Sequence, residues 1–200
     1  HLLEAMSKAR IQCIINTSTS WEHYENRAYS PINLYAATKR AFQDLLQYYV
    51  EIKSIKAITL KLFDTYGPND PRPKLLNLLL EAARSGERLV LSPGEQQIDL
   101  VHIDDVIRAY LCASEYLLTH PAIGHESFVV CTGAPVTIRQ IVAMIEKIIG
   151  KQMNVQWGGR PYRDREVMVP WSSTKQLKDG KPEIDLAEGL KMMLNQESSS

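Results

Sequence analysis

Two hundred residues, 44% of them hydrophobic and 23% charged, suffice for one domain with a real core, or one domain with a small appendage. Lysine and arginine number 23, aspartate and glutamate 23, so the net charge is zero and nothing in the balance argues for nucleic acid or a disordered acidic tail. No apolar run approaches the roughly 18–20 residues of a membrane span, and the three cysteines (Cys13, Cys112, Cys131) lie far apart in apolar stretches, as buried free thiols of a reducing, cytoplasmic compartment do.

His1 through Arg10 already carries helical spacing at Leu2, Leu3, Ala5, Met6 and Ala9, with no capping residue ahead of it, and is not expected to be a secretory leader. The sequence is therefore expected to open inside a helix of a longer protein. Ile11–Asn16 reads as a strand buried on both faces and ends in the hydroxyl run Thr17-Ser18-Thr19-Ser20. A polar, aromatic loop follows to Asn33. Leu34–Ile52 is a long amphipathic helix with Leu34, Ala37, Ala41, Leu45, Tyr48 and Tyr49 along one face.

Ala57–Phe63 is a second core strand, stopped by Tyr66-Gly67-Pro68-Asn69-Asp70-Pro71. Leu75–Ser85 is helical, Arg88–Leu91 a short strand, Ser92-Pro93-Gly94 a turn and Leu100–Ile103 another short strand. Asp104-Asp105 suits the N-terminus of a helix reaching Leu118, where carboxylates meet unpaired N–H groups. Ser127–Cys131 is a strand, Thr137–Ile149 a helix closed by Gly150. The segment from Lys151 is mixed, and 196–200 is expected to be disordered. Strands alternating with helices give an α/β fold with a parallel sheet.

Tyr35-Ala36-Ala37-Thr38-Lys39 carries the chemistry. A spacing of i, i+4 sets tyrosine and lysine on one helix face, roughly 5–6 Å apart at Cβ. An ammonium beside a phenol favours the phenolate, drawing a tyrosine from about 10 toward working pH. Such a pair is a general acid/base for a sugar hydroxyl or ketone. On its own Tyr-x-x-x-Lys occurs on many solvated helices. Its company is more specific: strand, hydroxyl cluster, loop, Pro31, the Tyr/Lys helix, then a strand ending in Tyr-Gly-Pro.

That order resembles the extended short-chain dehydrogenase/reductases, in the branch of NAD-dependent sugar-nucleotide epimerases and dehydratases. Ile14–Thr19 resembles the strand that ends in the family's catalytic Ser/Thr. Ser30-Pro31 with Tyr35–Lys39 resembles its Ser-Pro-x-x-Tyr-x-x-(Ser/Thr)-Lys segment, and Asp99–Val106 its Arg-Asp-Phe-Val-His-Val-Asp-Asp-Val segment. Asn-Thr-x-Thr-x-Trp with Leu-Tyr-Ala-Ala-Thr-Lys looks most like the CDP-dideoxyhexose synthases, which reduce 4-keto sugars for surface polysaccharide.

The resemblance implies catalysis by Tyr35 and Lys39 with a hydroxyl from Ser18 or Thr19, Thr17 being a weaker third choice. It implies cofactor contacts from Tyr35, Lys39, Thr17, Leu62, Phe63 and Thr65. Substrate contacts would come from Asp64, Gln97, Arg160 and Arg163, with Arg165 as a further cation of the same loop. The cofactor would be NAD or NADP, the substrate a nucleotide sugar, and the assembly a homodimer; no metal, nucleic-acid or membrane partner is implied. The activity would be 4-keto reduction or epimerisation; a non-catalytic cofactor sensor or scaffold, or a stand-alone sugar-binding fragment, is the alternative. Residues 1–70 would belong to the C-terminal part of a Rossmann-like cofactor domain. Residues 71–195 would be mainly a substrate subdomain with interleaved Rossmann elements at about 98–131, and 196–200 a tail.

Four departures qualify the match. No Gly-x-x-Gly-x-x-Gly occurs, so the pyrophosphate turn, with on the order of a hundred residues, is expected ahead of His1 and the chain alone is expected to be inactive. Ile98 stands where many relatives carry arginine, and Trp171 where aspartate is common. Trp21-Glu22-His23-Tyr24 replaces the usual Val-Tyr-Gly. His102, within an apolar strand, reads as a core residue, and the tryptophans as packing.

Overall fold

Alternating strand and helix formers become a parallel α/β fold in the computed structural model, which describes residues 1–53, 55–173 and 175–196. In chain order the elements are α1 Leu2–Lys8, β1 Cys13–Thr19, α2 Leu34–Lys53, β2 Lys56–Leu62, β3 Asp64–Tyr66, α3 Leu75–Ser85, β4 Leu89–Val90 and β5 Gln97–Ile98. They continue with β6 Leu100–His102, α4 Ile103–Thr119, β7 His125–Val130, β8 Val136–Thr137, α5 Ile138–Ile149, β9 Val155–Gln156 and α6 Leu186–Gln196.

Among the described residues β1, β2 and β7 form a parallel sheet in that order, with Thr19 opposite Leu62 and Leu62 opposite Val130. Successive side chains of β1 point to opposite faces. Ser18 meets Gln43 of α2, whereas Thr17 meets Tyr110 of α4, so the two helices cover opposite sides. On the α4 side Ile58, Leu60, Phe128 and Val130 pack against Val106, Ala109, Ala113 and Leu117. Leu3, Met6, Leu46 and Ala57 close the other side beneath α1 and α2. Burying each such aliphatic side chain contributes about 1.5–3 kcal/mol.

A second core joins α3, α5 and α6 through Leu79, Leu80, Ile141, Ile145 and Leu190, with Tyr66 and Leu100 as its link to the sheet. Around it run the short pairs β3–β6 and β4–β9, both parallel, and β5–β8, antiparallel. Tyr66 presses its hydroxyl end against α6 at Gly189, where any Cβ would overlap its hydroxyl and ring. α5 begins in a capping box, Thr137 accepting from Gln140 N while the Gln140 side chain accepts from Thr137 N, and ends at Gly150 in the left-handed region.

Several expectations need correction. The mixed segment after Lys151 contains β9 and the full helix α6, whose apolar face the second core requires. Helix α4 starts at Ile103; its cap is His102, whose Nδ1 accepts from Asp104 N at 3.3 Å, rather than either aspartate. Asp105 is instead fully buried, accepting from Arg108 at 2.6 Å and from Ile184 N at 3.0 Å. The strand placed at Ser127–Cys131 runs from His125 to Val130. Of the three thiols, all free, only Cys131 is buried; Cys13 and Cys112 are half-buried. Gln196 closes α6, and 197–200 lie outside the described residues.

Candidate active site

In parallel α/β sheets the carboxyl ends of the strands open onto the ligand crevice. β1 brings Thr17, Ser18 and Thr19 to that end, and α2 sets Tyr35 and Lys39 beside them. The helix starts there because Asn33 Oδ1 accepts from Ala36 N at 3.0 Å, capping the first turn. Tyr35, in that turn, is half-exposed (50%), and its hydroxyl makes no hydrogen bond among the described residues. The Trp21 ring meets it edge-on, centroids 6.5 Å apart and planes at 83°.

Lys39 Nζ lies 5.6 Å from the centre of the Tyr35 ring and donates to the main-chain oxygen of Thr17 at 3.1 Å. The ammonium is thereby tethered to β1 with donors to spare.

The three hydroxyl candidates separate sharply. Ser18 is sealed under α2, donating to Glu22 and accepting from Gln43 Nε2 at 3.0 Å. Thr17 points the other way, its hydroxyl bonded to that of Tyr110. Thr19, the last residue of β1, accepts from Trp21 N at 3.2 Å, which leaves its own O–H to donate.

Beneath Ser18 lies a polar cluster that pattern reading did not find. Glu22, fully buried, accepts from Gln43 at 2.6 Å and from Lys61 Nζ at 3.0 Å. Lys61 also meets His23 Nε2 at 2.7 Å, and the His23 ring stacks on Trp171 with centroids 3.6 Å apart. Burial, then the Lys61 charge, hold the His23 imidazole below its ordinary value of 6.5. A glutamate after the hydroxyl run and a lysine inside an apolar strand were the available signals.

Just past β2, Phe63 is buried and packs parallel to Trp171 at 6.5 Å, while Leu62 and Thr65 are half-buried. Asp64 is half-buried, and no hydrogen bond to its carboxylate occurs among the described residues. Burial pushes its carboxyl up to about 6, with Asp99 adding to the rise and Lys74 opposing it. Asp99 itself accepts from Thr132 N, Thr132 Oγ1 and Gly133 N, each at 2.8 Å.

Of the late arginines, only Arg165 meets the loop ahead of Tyr35. Arg160 N donates to Leu91 O at 3.2 Å, and its side chain is exposed. Arg163 is exposed, its main chain bracketed by Glu166. Arg165 reaches farthest: its guanidinium donates to Ser30 Oγ at 2.9 Å and covers the Tyr24 ring at 4.4 Å. Gln97 N donates to Met168 O at 2.9 Å, and Ser172 N to Asn26 Oδ1 at 2.7 Å, so residues 165–172 strap the loop ahead of Tyr35. Among the described residues, Arg160, Arg163 and Gln97 make no contact with Tyr35. Ile98 packs into the second core.

A cavity of about 620 Å³ opens elsewhere, between the Gly67–Asp70 loop, α3 and the end of α6. None of the residues above lines it, and the crevice at the strand ends is the better chemical candidate. No cluster able to hold a metal ion occurs among the described residues, and no helix among them is long and apolar enough to cross a membrane.

A family model described as the NAD dependent epimerase/dehydratase family matches residues 1–129. The CDP-abequose synthase of Yersinia pseudotuberculosis is 34% identical over 172 residues, 84% of this chain and 58% of that protein. That of Salmonella typhimurium is 27% identical over 198 residues, 96% of this chain and 65% of the relative. The chain thus spans about three-fifths of the length of these curated relatives. Among solved structures, UDP-glucose 4-epimerase from Thermotoga maritima with UDP-glucose superposes with a TM-score of 0.85 at 25% identity, over 99% of this chain and 67% of that one. MoeE5 in complex with UDP-glucose and NAD gives 0.86 at 22% identity, over 100% and 70%, a likeness of fold.

Proposed function

This chain belongs to the NAD dependent epimerase/dehydratase family, and from that premise we propose that it is the catalytic and substrate-side part of a nicotinamide-dependent enzyme that reduces or epimerises a nucleotide sugar at a keto or hydroxyl carbon. The observation that carries the reading is Lys39 tethered to Thr17 beside a Tyr35 hydroxyl that has no partner among the described residues, at the carboxyl end of a parallel strand. The CDP-abequose synthase relatives favour 4-keto reduction.

The donor set fits the ribose end of NAD. One Lys39 proton is spent on Thr17 O, and the others are available for sugar hydroxyls. The glycine turn that cradles a pyrophosphate is absent from these 200 residues, so binding of a whole dinucleotide needs more chain than is described here. The nicotinamide, when bound, supplies or accepts hydride. In the reductive direction Tyr35 would give its phenolic proton to the carbonyl oxygen of the sugar. In the oxidative direction the Tyr35 phenolate takes the hydroxyl proton back. Lys39 would hold the cofactor ribose beside Tyr35.

Thr19 serves best as the third hydrogen-bonding group, because Ser18 is committed to Glu22 and Gln43 and Thr17 to Tyr110. Asp64, whose carboxylate accepts from no donor among the described residues, suits a substrate hydroxyl. The exposed guanidinium groups of Arg160 and Arg163 suit a diphosphate, which arginine meets in bidentate fashion. Homodimer formation is supported by α2, whose exposed residues Leu34, Thr38, Ala41, Leu45, Tyr48 and Ile52 repeat at alternating steps of four and three, the spacing of a helix–helix seam.

The test is turnover by the protein at its full natural length, with NADH or NADPH and a panel of nucleotide 4-keto sugars, beside Tyr35→Phe. Consumption of reduced cofactor, lost at least ~100-fold in the variant, supports the reductase. Interconversion of sugar isomers without net consumption supports the epimerase. Neither activity, with cofactor still bound, overturns both.

A further inference from the structure

Thr17 is held twice. Its main-chain oxygen accepts from Lys39 Nζ on α2 at 3.1 Å, and its side-chain hydroxyl is bonded to the Tyr110 hydroxyl on α4. The two helices lie on opposite faces of the sheet, so one strand residue joins them. Nothing else on the strand has this arrangement: Ser18 belongs wholly to the α2 side, and Thr19 to its own turn.

We infer that Tyr110 is a positioning residue for the Tyr35–Lys39 pair, acting through Thr17. The inference rests on the proposed catalytic role of that pair. A hydroxyl has one proton and two acceptor sites, and so has a phenol. Whichever of the two oxygens donates, the bond fixes the Thr17 side chain and with it the plane of the peptide that receives Lys39. Without the Tyr110 hydroxyl, Thr17 loses its anchor on the α4 side, and the main-chain oxygen that receives Lys39 is positioned by the β1–β2 ladder alone. Catalytic groups must be held to within a fraction of an ångström, so the loss appears in the chemical step.

Tyr110 is half-buried and packs against the first core with its ring. Its register follows from α4, which is fixed at its start by the His102 cap and by the Asp105–Arg108 pair. The α4 segment thereby connects the substrate-side motif at Asp99–Val106 to the lysine on the far face of the sheet. The sequence hid this contact because the two partners are 93 residues apart.

The experiment uses the full-length protein, with Tyr110→Phe, Thr17→Val, Thr17→Ser and the Tyr110→Phe/Thr17→Val pair, all measured beside Tyr35→Phe. Tyr110→Phe keeps the packed ring. It is expected to lower kcat about tenfold, the rate equivalent of one hydrogen bond, with KM for the nucleotide sugar unchanged. Thr17→Val is expected to match it, Thr17→Ser to restore most of the rate, and the double variant to be no slower than the slower single one. Unchanged kcat in Tyr110→Phe, or losses that multiply in the double variant, would overturn the inference. A rise in KM with kcat intact would also overturn it, since it would place Tyr110 on substrate rather than behind Lys39. Wild-type turnover in Tyr35→Phe would sink the underlying catalytic reading instead.

Discussion

Lys39 and Thr17 stand 22 residues apart in the chain and are joined by a single hydrogen bond of 3.1 Å from ammonium to main-chain oxygen. The bond fixes the lysine at one end of the helix that also carries Tyr35, so ammonium and phenol keep their spacing without touching each other. Replacing Lys39 by methionine, which keeps length and removes charge, is expected to lower kcat/KM at least ~100-fold, as for loss of one preorganised charged donor. Steady-state kinetics on the full-length protein decides it; a loss below fivefold would leave Lys39 as a surface residue.

The buried Glu22–Lys61 pair supports the turn carrying Thr19 and Trp21. Breaking such a pair by removing one partner leaves an uncompensated buried charge and costs about 3–5 kcal/mol. Glu22→Gln and Lys61→Met are each expected to lower the urea midpoint strongly. The double variant is expected to recover part of the loss, because both charges are then gone. Equal or additive losses would show that the two charges are not coupled.

Asp64 gives a pH dependence with a definite sign. Its carboxyl is raised from an ordinary 3.8 to about 6, so the folded state holds the proton more tightly than the unfolded chain. Its contribution is therefore most favourable below about pH 4, is lost as pH rises toward 6, and is constant above. Asp64→Asn removes the ionisation and is expected to be more stable than wild type at pH 8, by at most about 3 kcal/mol. Urea unfolding of both at pH 4 and pH 8 tests it; a stability difference that does not change with pH would refute the assignment.

Tyr66 presents a buried hydroxyl without a hydrogen-bond partner among the described residues, pressed against Gly189. Burial, with Asp105 and the carboxylates of Asp185 and Glu188 nearby, drives its phenol well above the ordinary value of 10. Deleting an unpaired buried hydroxyl removes a desolvation cost. Tyr66→Phe is accordingly expected to be neutral or stabilising, whereas Gly189→Ala is expected to cost about 1–3 kcal/mol through overpacking. Thermal unfolding separates the two; a clear loss in Tyr66→Phe would reveal a hydrogen bond to that oxygen.

Local signals made much of the fold readable in advance. The bounds of α3 and α5 follow from apolar period and from Gly86 and Gly150 in left-handed caps. β2 follows from a run of branched residues, and Tyr35 with Lys39 from one helical turn; β1, read as Ile11–Asn16, instead starts at Cys13 and carries the hydroxyl run to Thr19. What escaped was set by partners distant in sequence. Helix α6 has an apolar face that makes sense only against α3 and α5. Asp105 resembled a helix cap until Arg108 and Ile184 claimed it. Ser18, Thr19 and Thr17 were indistinguishable as letters, since only the alternation of the strand and the identities of Gln43, Trp21 and Tyr110 separate them.

That alternation makes β1 intolerant of a change in length. A slip of one residue would turn Thr17 and Thr19 under α2, where Glu22 and Gln43 wait for Ser18, and would deliver Ser18 to the crevice. Lys39 would then meet the carbonyl of a different residue. Inserting or deleting one residue among positions 13–16 is thus a change of chemistry as well as of packing. The number of residues between Cys13 and Thr19 therefore sets which hydroxyl faces which helix.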